Sequence, residues 1–320
     1  MFNSRKVVSA MRNSWLQLVR VASVLAVLLG FCGSYAAAMG PGERELLASE
    51  QYRGVEAIEI ESESFDVSVV GNRTNSTSVE IYGSPSVSAT IRRRGERVII
   101  EAKERRALFS RSRVEGLIEV QAFEGVDIEV NCGSGDVDIR GLQGGRLGVR
   151  TGSGDIVARA IFGESRIRSG SGDFRMERVG GTLEAGTGSG DIELQDGEGR
   201  ISLSSGSGDL ELRGVSGDIK ATSSSGEVSV VDGDGVFSLA STSGSVVAEE
   251  LSLRNSSRFR SVSGDIELVL RGEPEEYSYD LRTVSGAIRV GDIQAGNRFT
   301  RDGGSLLVEG STTSGSITVE

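Results

Sequence analysis

The sequence predicts an all-β chain folded as a parallel β-solenoid, with coils of about 18 residues made of two nine-residue strand-and-turn units. Three observations carry this. A Ser-Gly-Asp-like turn recurs at a fixed period, and apolar residues stand at fixed alternate places after it. Glycine supplies 45 of 320 residues, whereas proline supplies 3 and aromatics 5%. A broad globular core needs more large side chains, so a thin, elongated core is expected. Collagen is excluded because no Gly-X-Y period exists.

Aligned on the acidic position that ends each turn, ten copies appear. Their anchors are Asp136, Asp155, Asp173, Asp191, Asp209, Glu227, Ser245, Asp265, Ala287 and Ser316. Successive spacings are 19, then five of 18, then 20, 22 and 29. Glycine precedes the anchor in every copy, and serine precedes that glycine. The first and third residues after the anchor are always apolar, as at Ile192 and Leu194, which is the period that buries one face of a strand. From Gly145 to Ser252 the chain divides into twelve nine-residue units, each starting with glycine. A period of nine favours two principal strands per coil over the three of a hexapeptide helix. Parallel crossovers are expected to be right-handed.

Four places before the anchor runs a column of small residues that alternation points inward: Cys132, Thr151, Ser169, Thr187, Ser205, Ser223, Ser241, Ser261, Thr283 and Thr312. Buried hydroxyls there must find partners, either each other or turn amides. Cys132 takes the same place as a small core residue rather than a nucleophile. The turn glycines are expected to supply a positive φ where the chain reverses, and to let turns stack ~4.8 Å apart. A phosphate loop does not fit, because no GxxxxGK[ST] run is present and no helix is expected to follow the turn. The stacked carboxylates of Asp136, Asp155, Asp173, Asp191 and Asp209 must be offset by turn amides or serine hydroxyls, or by cations such as calcium between coils. Calcium rolls place their aspartate two residues before the apolar one, not directly before it as here.

Residues 1–38 read as an export signal. Arg5, Lys6, Arg12 and Arg20 precede the apolar run Val21 to Phe31, and Ala36, Ala37 and Ala38 offer a cleavage site. An uncleaved anchor and lipidation at Cys32 are the alternatives, so anchoring stays open. Removing this segment takes away four basic residues and no acids, moving the net charge from −11 to −15. That field opposes nucleic acid and anionic membrane. One cysteine, Cys132, then remains, so no intrachain disulfide is expected.

Residues 39–122 are β-rich but off the period, and are expected to form a cap or irregular first coils over a solenoid spanning 123–320. This segment carries the one basic cluster, from Arg92, Arg93 and Arg94 to Arg111 and Arg113, among several glutamates. It is either a solvated hairpin or a patch for an anionic polysaccharide or acidic partner. The lengthened late coils add loops at Arg271–Asp280 and Gly291–Ser305, expected to carry Tyr277, Tyr279, Arg298, Phe299 and Arg301 to the exterior. Ile317 and Val319 are in register with the buried columns, so the final coil is expected to end the stack on a strand. Either the Gly291–Ser305 segment or another chain would cover it, the latter by end-to-end self-association through the C-terminal strand.

The chain has no histidine, which removes Ser-His-Asp and Cys-His catalysis and histidine-ligated metals. The alternating strands of Val55–Ala102, followed by repeated SGSGDI and SGD turns, resemble the bacterial putative-adhesin β-strand-repeat family over about residues 50–320. That is a domain-of-unknown-function family related to the head domains of autotransporter adhesins. The resemblance implies an exported β-helical domain at a bacterial envelope and transfers no catalytic residue. The expected function is therefore a non-catalytic scaffold or adhesin-like binding domain in the periplasm or at the cell surface. Its partner would be an envelope protein or polysaccharide, with no cofactor and no nucleic acid. A polysaccharide-active β-helix enzyme and a self-assembling rod are the alternatives.

Overall fold

The structure, a computed structural model, describes residues 45–84, 87–104 and 116–320, and residues 45–320 form one compact unit. The expected export signal (1–38), Cys32, and Arg105, Arg106, Arg111 and Arg113 lie outside the described residues.

The described chain opens with β1 (Glu45–Tyr52), then lays down a first coil from β2 (Ala57–Ser62) and β3 (Asp66–Asn72). Next, β4 (Thr77–Gly83) and β5 (Val87–Arg94) leave the coil path. A second coil comes from β6 (Arg97–Glu104) and β7 (Leu117–Phe123), and a third from β8 (Asp127–Cys132) and β9 (Val137–Arg140). After β10 (Gln143–Thr151), five 14-residue strands repeat every 18 residues: β11 (Ile156–Ser169), β12 (Phe174–Thr187), β13 (Ile192–Ser205), β14 (Leu210–Ser223) and β15 (Val228–Ser241). Adjacent copies pair in parallel and in register, Ile156 with Phe174 through to Ser169 with Thr187. The late strands are β16 (Val246–Leu253), β17 (Ser257–Arg260), β18 (Ile266–Leu270), β19 (Tyr277–Arg282), β20 (Ile288–Val290), β21 (Ile293–Ala295), β22 (Arg298–Arg301), β23 (Leu306–Ser311) and β24 (Ile317–Val319).

Each long strand bends at its fifth residue, so its two limbs form two walls around the core. The bend sits in the left-handed region at Ala160 (φ 55°), Arg178 (55°), Asp196 (56°), Gly214 (61°), Asp232 (59°) and Glu250 (57°). Both apolar columns after the anchor are buried throughout, from Val137 and Ile139 to Ile317 and Val319. Burying each such valine, leucine or isoleucine contributes about 1.5–3 kcal/mol, and a thin core gains its stability from the number of coils.

The positive φ thus falls at the bend between limbs, on five non-glycine residues and Gly214, and again three residues on at Gly163 (147°), Gly181 (101°), Gly199 (116°) and Gly217 (115°). Glycine supplies it there as expected, but not at the Ser-Gly corner. Gly154, Gly172, Gly190 and Gly208 at the corner are outside the left-handed region. Their requirement is close approach. A Cβ on Gly172 would fall on the carbonyl oxygen of Gly154, and one on Gly190 on that of Gly172.

The order of coils in space departs from their order in sequence at both ends. At the start, β2 pairs in parallel with both β6 and β8, and β3 with both β7 and β9. The first coil therefore lies between the second and third. At the other end, β23 lies between β17 and β19, and β24 between β18 and β20. The last coil is one place in from the end. It does not terminate the stack, and its strand, with neighbours on both sides, has no free edge for strand addition. The outermost strands run antiparallel to their neighbours: β5 on β6 and β1 on β4 on β7 at one end, β22 on β19 and β21 on β20 at the other. Residues 291–305, which make the 29-residue spacing, supply β21 and β22. They end both parallel ladders, the role expected of that segment.

The bend makes a direct prediction. An L-residue in the left-handed region costs roughly 1–2 kcal/mol, and a β-branched one costs more. Ala160→Gly is expected to raise the urea midpoint by about 1 kcal/mol of stability, and Ala160→Val to lower it. A stabilising valine would show that this φ is not held in solution.

Candidate functional site

The recurring polar residues sit at the Ser-Gly corner, which joins one wall to the next coil. From Thr151 to Ser261 each inward hydroxyl accepts the backbone N–H three residues on, at 2.8–3.2 Å, as Thr187 does from Gly190. It also donates to a glycine carbonyl of the neighbouring coil at 2.7–3.4 Å, as Thr187 does to Gly172. The column therefore ties turns to neighbouring coils, and the hydroxyls do not bond to each other. Cys132 reproduces both contacts: Sγ accepts from the Gly135 amide at 3.2 Å and lies 3.3 Å from the Phe65 carbonyl. Burial pushes its thiol up from the usual range, which suits a core position and disfavours a thiolate nucleophile.

The anchor aspartates form a second ladder. Oδ1 of Asp136 accepts the Asp155 amide, and the pattern continues through Asp173, Asp191 and Asp209 to Glu227, at 2.8–2.9 Å. Asp66 serves Asp136 at 3.1 Å, and Asp265 serves Ser316 at 2.8 Å, following the spatial order of coils. Amides of the next coil thus offset the stacked charge. Among the described residues, no group of three or more Cys, Asp or Glu is placed to hold a metal ion.

The partner candidates do not converge. Arg92, Arg93 and Arg94 are exposed on β5 at one end of a wall, and Arg298 is exposed on β22 at the other end of the same wall. Arg93 donates to the carbonyls of Gly95 (2.7 Å) and Gly54 (3.2 Å), so it fastens a turn. Tyr277 and Tyr279, expected outside, are buried at 4% and 1% exposure. They belong to β19, which pairs in parallel with β23, and their period of two turns both rings into the core. Phe299 also turns inward, its ring centroid 6.0 Å from that of Tyr279. Arg301 pairs with Glu275 at 3.4 Å. The alternation of YSYDLR was the signal for a strand there.

A feature not singled out by the sequence appears on the outer face of the wall that ends in the hydroxyl column. The residue just before that column points outward, and strand pairing sets these residues side by side. Arg150 neighbours Arg168, then come Gly186, Ser204, Thr222 and Ala240. Ala240 neighbours Arg260, and Ser311, Arg282 and Arg298 carry the row to one end of the wall, while beyond Arg150 it continues through Asn131 to Glu61 and Glu101. No carboxylate occurs in the ten places from Arg150 to Arg298, in a chain of net charge −11. Arg150 pairs with Glu129, Arg168 with Glu184 (2.5 Å) and Arg282 with Asp280 (2.7 Å), all from the adjacent row. The Arg166 and Arg168 guanidiniums hold the Glu184 carboxyl below its usual range. Arg260 and Arg298 have no ion pair among the described residues. Two shallow depressions, of about 500 and 410 Å³, lie toward the N-terminal end and are both bordered by Arg150.

These features define a capped β-solenoid whose repeated polar residues are structural. The chain belongs to the Toastrack family, DUF4097, which matches residues 103–230 and 198–320. No curated protein matches it. Among solved structures, a putative cell adhesion protein from Clostridium sporogenes is 9% identical over 86% of this chain and 99% of its own, with a TM-score of 0.20. A putative adhesin from Bacteroides fragilis is 10% identical, over 88% and 100%, at 0.30. One from Parabacteroides merdae is 11% identical, over 88% and 98%, also at 0.30.

Asp173→Asn keeps an Oδ1 acceptor and is expected to change stability by under about 0.5 kcal/mol, whereas Asp173→Ala loses about 1 kcal/mol. Millimolar calcium is expected to leave the melting temperature of the wild-type protein unchanged, and a rise of many degrees would establish a cation between coils instead. The Tyr279 hydroxyl is buried without a hydrogen-bond partner among the described residues, and burial pushes its pKa up to about 12. The unfolded chain loses that proton first, near pH 10. Stability present below about pH 10 is therefore lost as the pH rises towards 12. Tyr279→Phe is expected to be neutral or stabilising by about 1 kcal/mol and to reduce that alkaline loss, as urea titrations from pH 8 to 11 would show.

Proposed function

We propose that this chain is an exported, non-catalytic scaffold of the adhesin-like kind, binding a polysaccharide or protein of the bacterial envelope. The single observation that carries the reading is the use made of its repeated polar residues. Every anchor aspartate, and the hydroxyl column beside it, is engaged in holding one coil to the next. A catalytic β-helix requires carboxylates or arginines converging on a cleft, and here the outward arginines are spread along a flat wall. Export is supported by the signal-like residues 1–38. Nucleic acid is disfavoured as a partner by the acidic net charge.

The test is capture of purified envelope fractions by the protein, with released reducing ends and unsaturated products measured in parallel. Retention of a polysaccharide or protein without new chain ends is expected. Turnover of a glycan, or failure to retain any envelope component, would overturn the reading.

A further inference from the structure

We infer that the acid-free arginine row is the binding surface, and that its ligand is an extended acidic polysaccharide lying along the solenoid axis, across the strands. This rests on the scaffold reading above and names the surface and the ligand class. The row crosses ten neighbouring strands, so at ~4.8 Å per strand it extends roughly 43 Å. Arginines stand at its two ends, Arg150 and Arg168 at one and Arg260, Arg282 and Arg298 at the other. Between them lies a shelf of small side chains, with hydroxyls at Ser204 and Thr222.

Charge complementarity selects the ligand. In a chain of net charge −11, the ten adjacent outward places from Arg150 to Arg298 hold five arginines and no acid, and Asn131 separates them from Glu61 and Glu101, which continue the row at the Arg150 end. The guanidinium fork binds carboxylate or phosphate in two parallel hydrogen bonds. Arg260 and Arg298 are exposed and hold no carboxylate among the described residues, so they are free to do so. The shelf suits a polymer that needs hydroxyl partners between its acidic groups, which a glycan does. Base stacking has no partner, because the row contains no aromatic residue. An acidic peptide is disfavoured because the shelf offers no apolar pocket for its side chains.

The test uses polygalacturonate oligomers as the acidic glycan, with dextran, polyglutamate and single-stranded DNA as comparisons. Binding to the purified protein is measured at 20 and 150 mM salt. Polygalacturonate is expected to bind, more weakly at the higher salt, with dextran unbound and the other polyanions weaker. Arg260→Ala/Arg298→Ala breaks no ion pair among the described residues and is expected to weaken binding by about tenfold or more. Arg213→Ala on the opposite wall is expected to leave it unchanged. An unchanged melting temperature would confirm that the double variant is folded, and the single variants Arg260→Gln and Arg298→Gln serve if it is not. Absence of polygalacturonate binding, a folded double variant that binds as tightly as the wild-type protein, or tighter binding of polyglutamate or DNA would each overturn the inference. The scaffold reading falls by a different result, turnover or no capture from whole envelope.

Discussion

Backbone contact between stacked Ser-Gly corners is the constraint on which the rest of the molecule depends. At each corner the glycine Cα of one coil faces the carbonyl oxygen of the coil before it, closely enough that no Cβ fits between them. This approach sets the rise from coil to coil and holds successive turns in register. With the register held, the hydroxyl four places before the anchor reaches the neighbouring glycine carbonyl, and the anchor carboxylate reaches the next amide. The apolar columns then stack without a slip, which would turn each core side chain outward.

That constraint divides the chain into inward and corner positions that are restricted and outward positions that are not. The restricted ones hold the coils together and carry little chemistry to spare. Recognition must therefore reside in the outward columns, where ion pairs such as Arg254–Asp234 and Arg258–Glu309 link neighbouring coils at exposed positions. Exposed pairs of this sort add little stability. The stretch from Arg150 to Arg298 differs from them in having no acid within it, Glu61 and Glu101 following only beyond Asn131. The antiparallel strands at each end leave the walls, rather than the ends, as the extended surfaces available to a partner.

Much of the regular middle was legible because it depends on local period. The buried columns, the inward hydroxyls and the place of Cys132 all followed from alternation. The positions of the left-handed residues followed only in part: Gly181, Gly199 and Gly217 have the positive φ expected of turn glycines, whereas the Ser-Gly corner needs glycine for space. Ala160, Arg178 and Glu250 carry the strain with nothing in their side chains to announce it. The coil order at the ends depends on pairings far apart in sequence, such as Leu268 with Val319, which no local pattern specifies. Tyr277 and Tyr279 were misplaced because a Pro- and Glu-rich loop, RGEPEE, runs directly into their strand. The arginine row was partly readable as the column preceding the hydroxyls, but Arg298 joins it only through the capping strand.

The most direct measurement is the equilibrium stability of Gly190→Ala by urea denaturation. Gly190 is outside the left-handed region, so the added methyl meets no φ penalty, only the Gly172 carbonyl and the Asp173 carboxylate. A loss of several kcal/mol is expected, in the range of overpacking against rigid backbone. A neutral change, or the gain of about 0.4–1 kcal/mol that Gly→Ala gives at an unhindered site, would contradict the account.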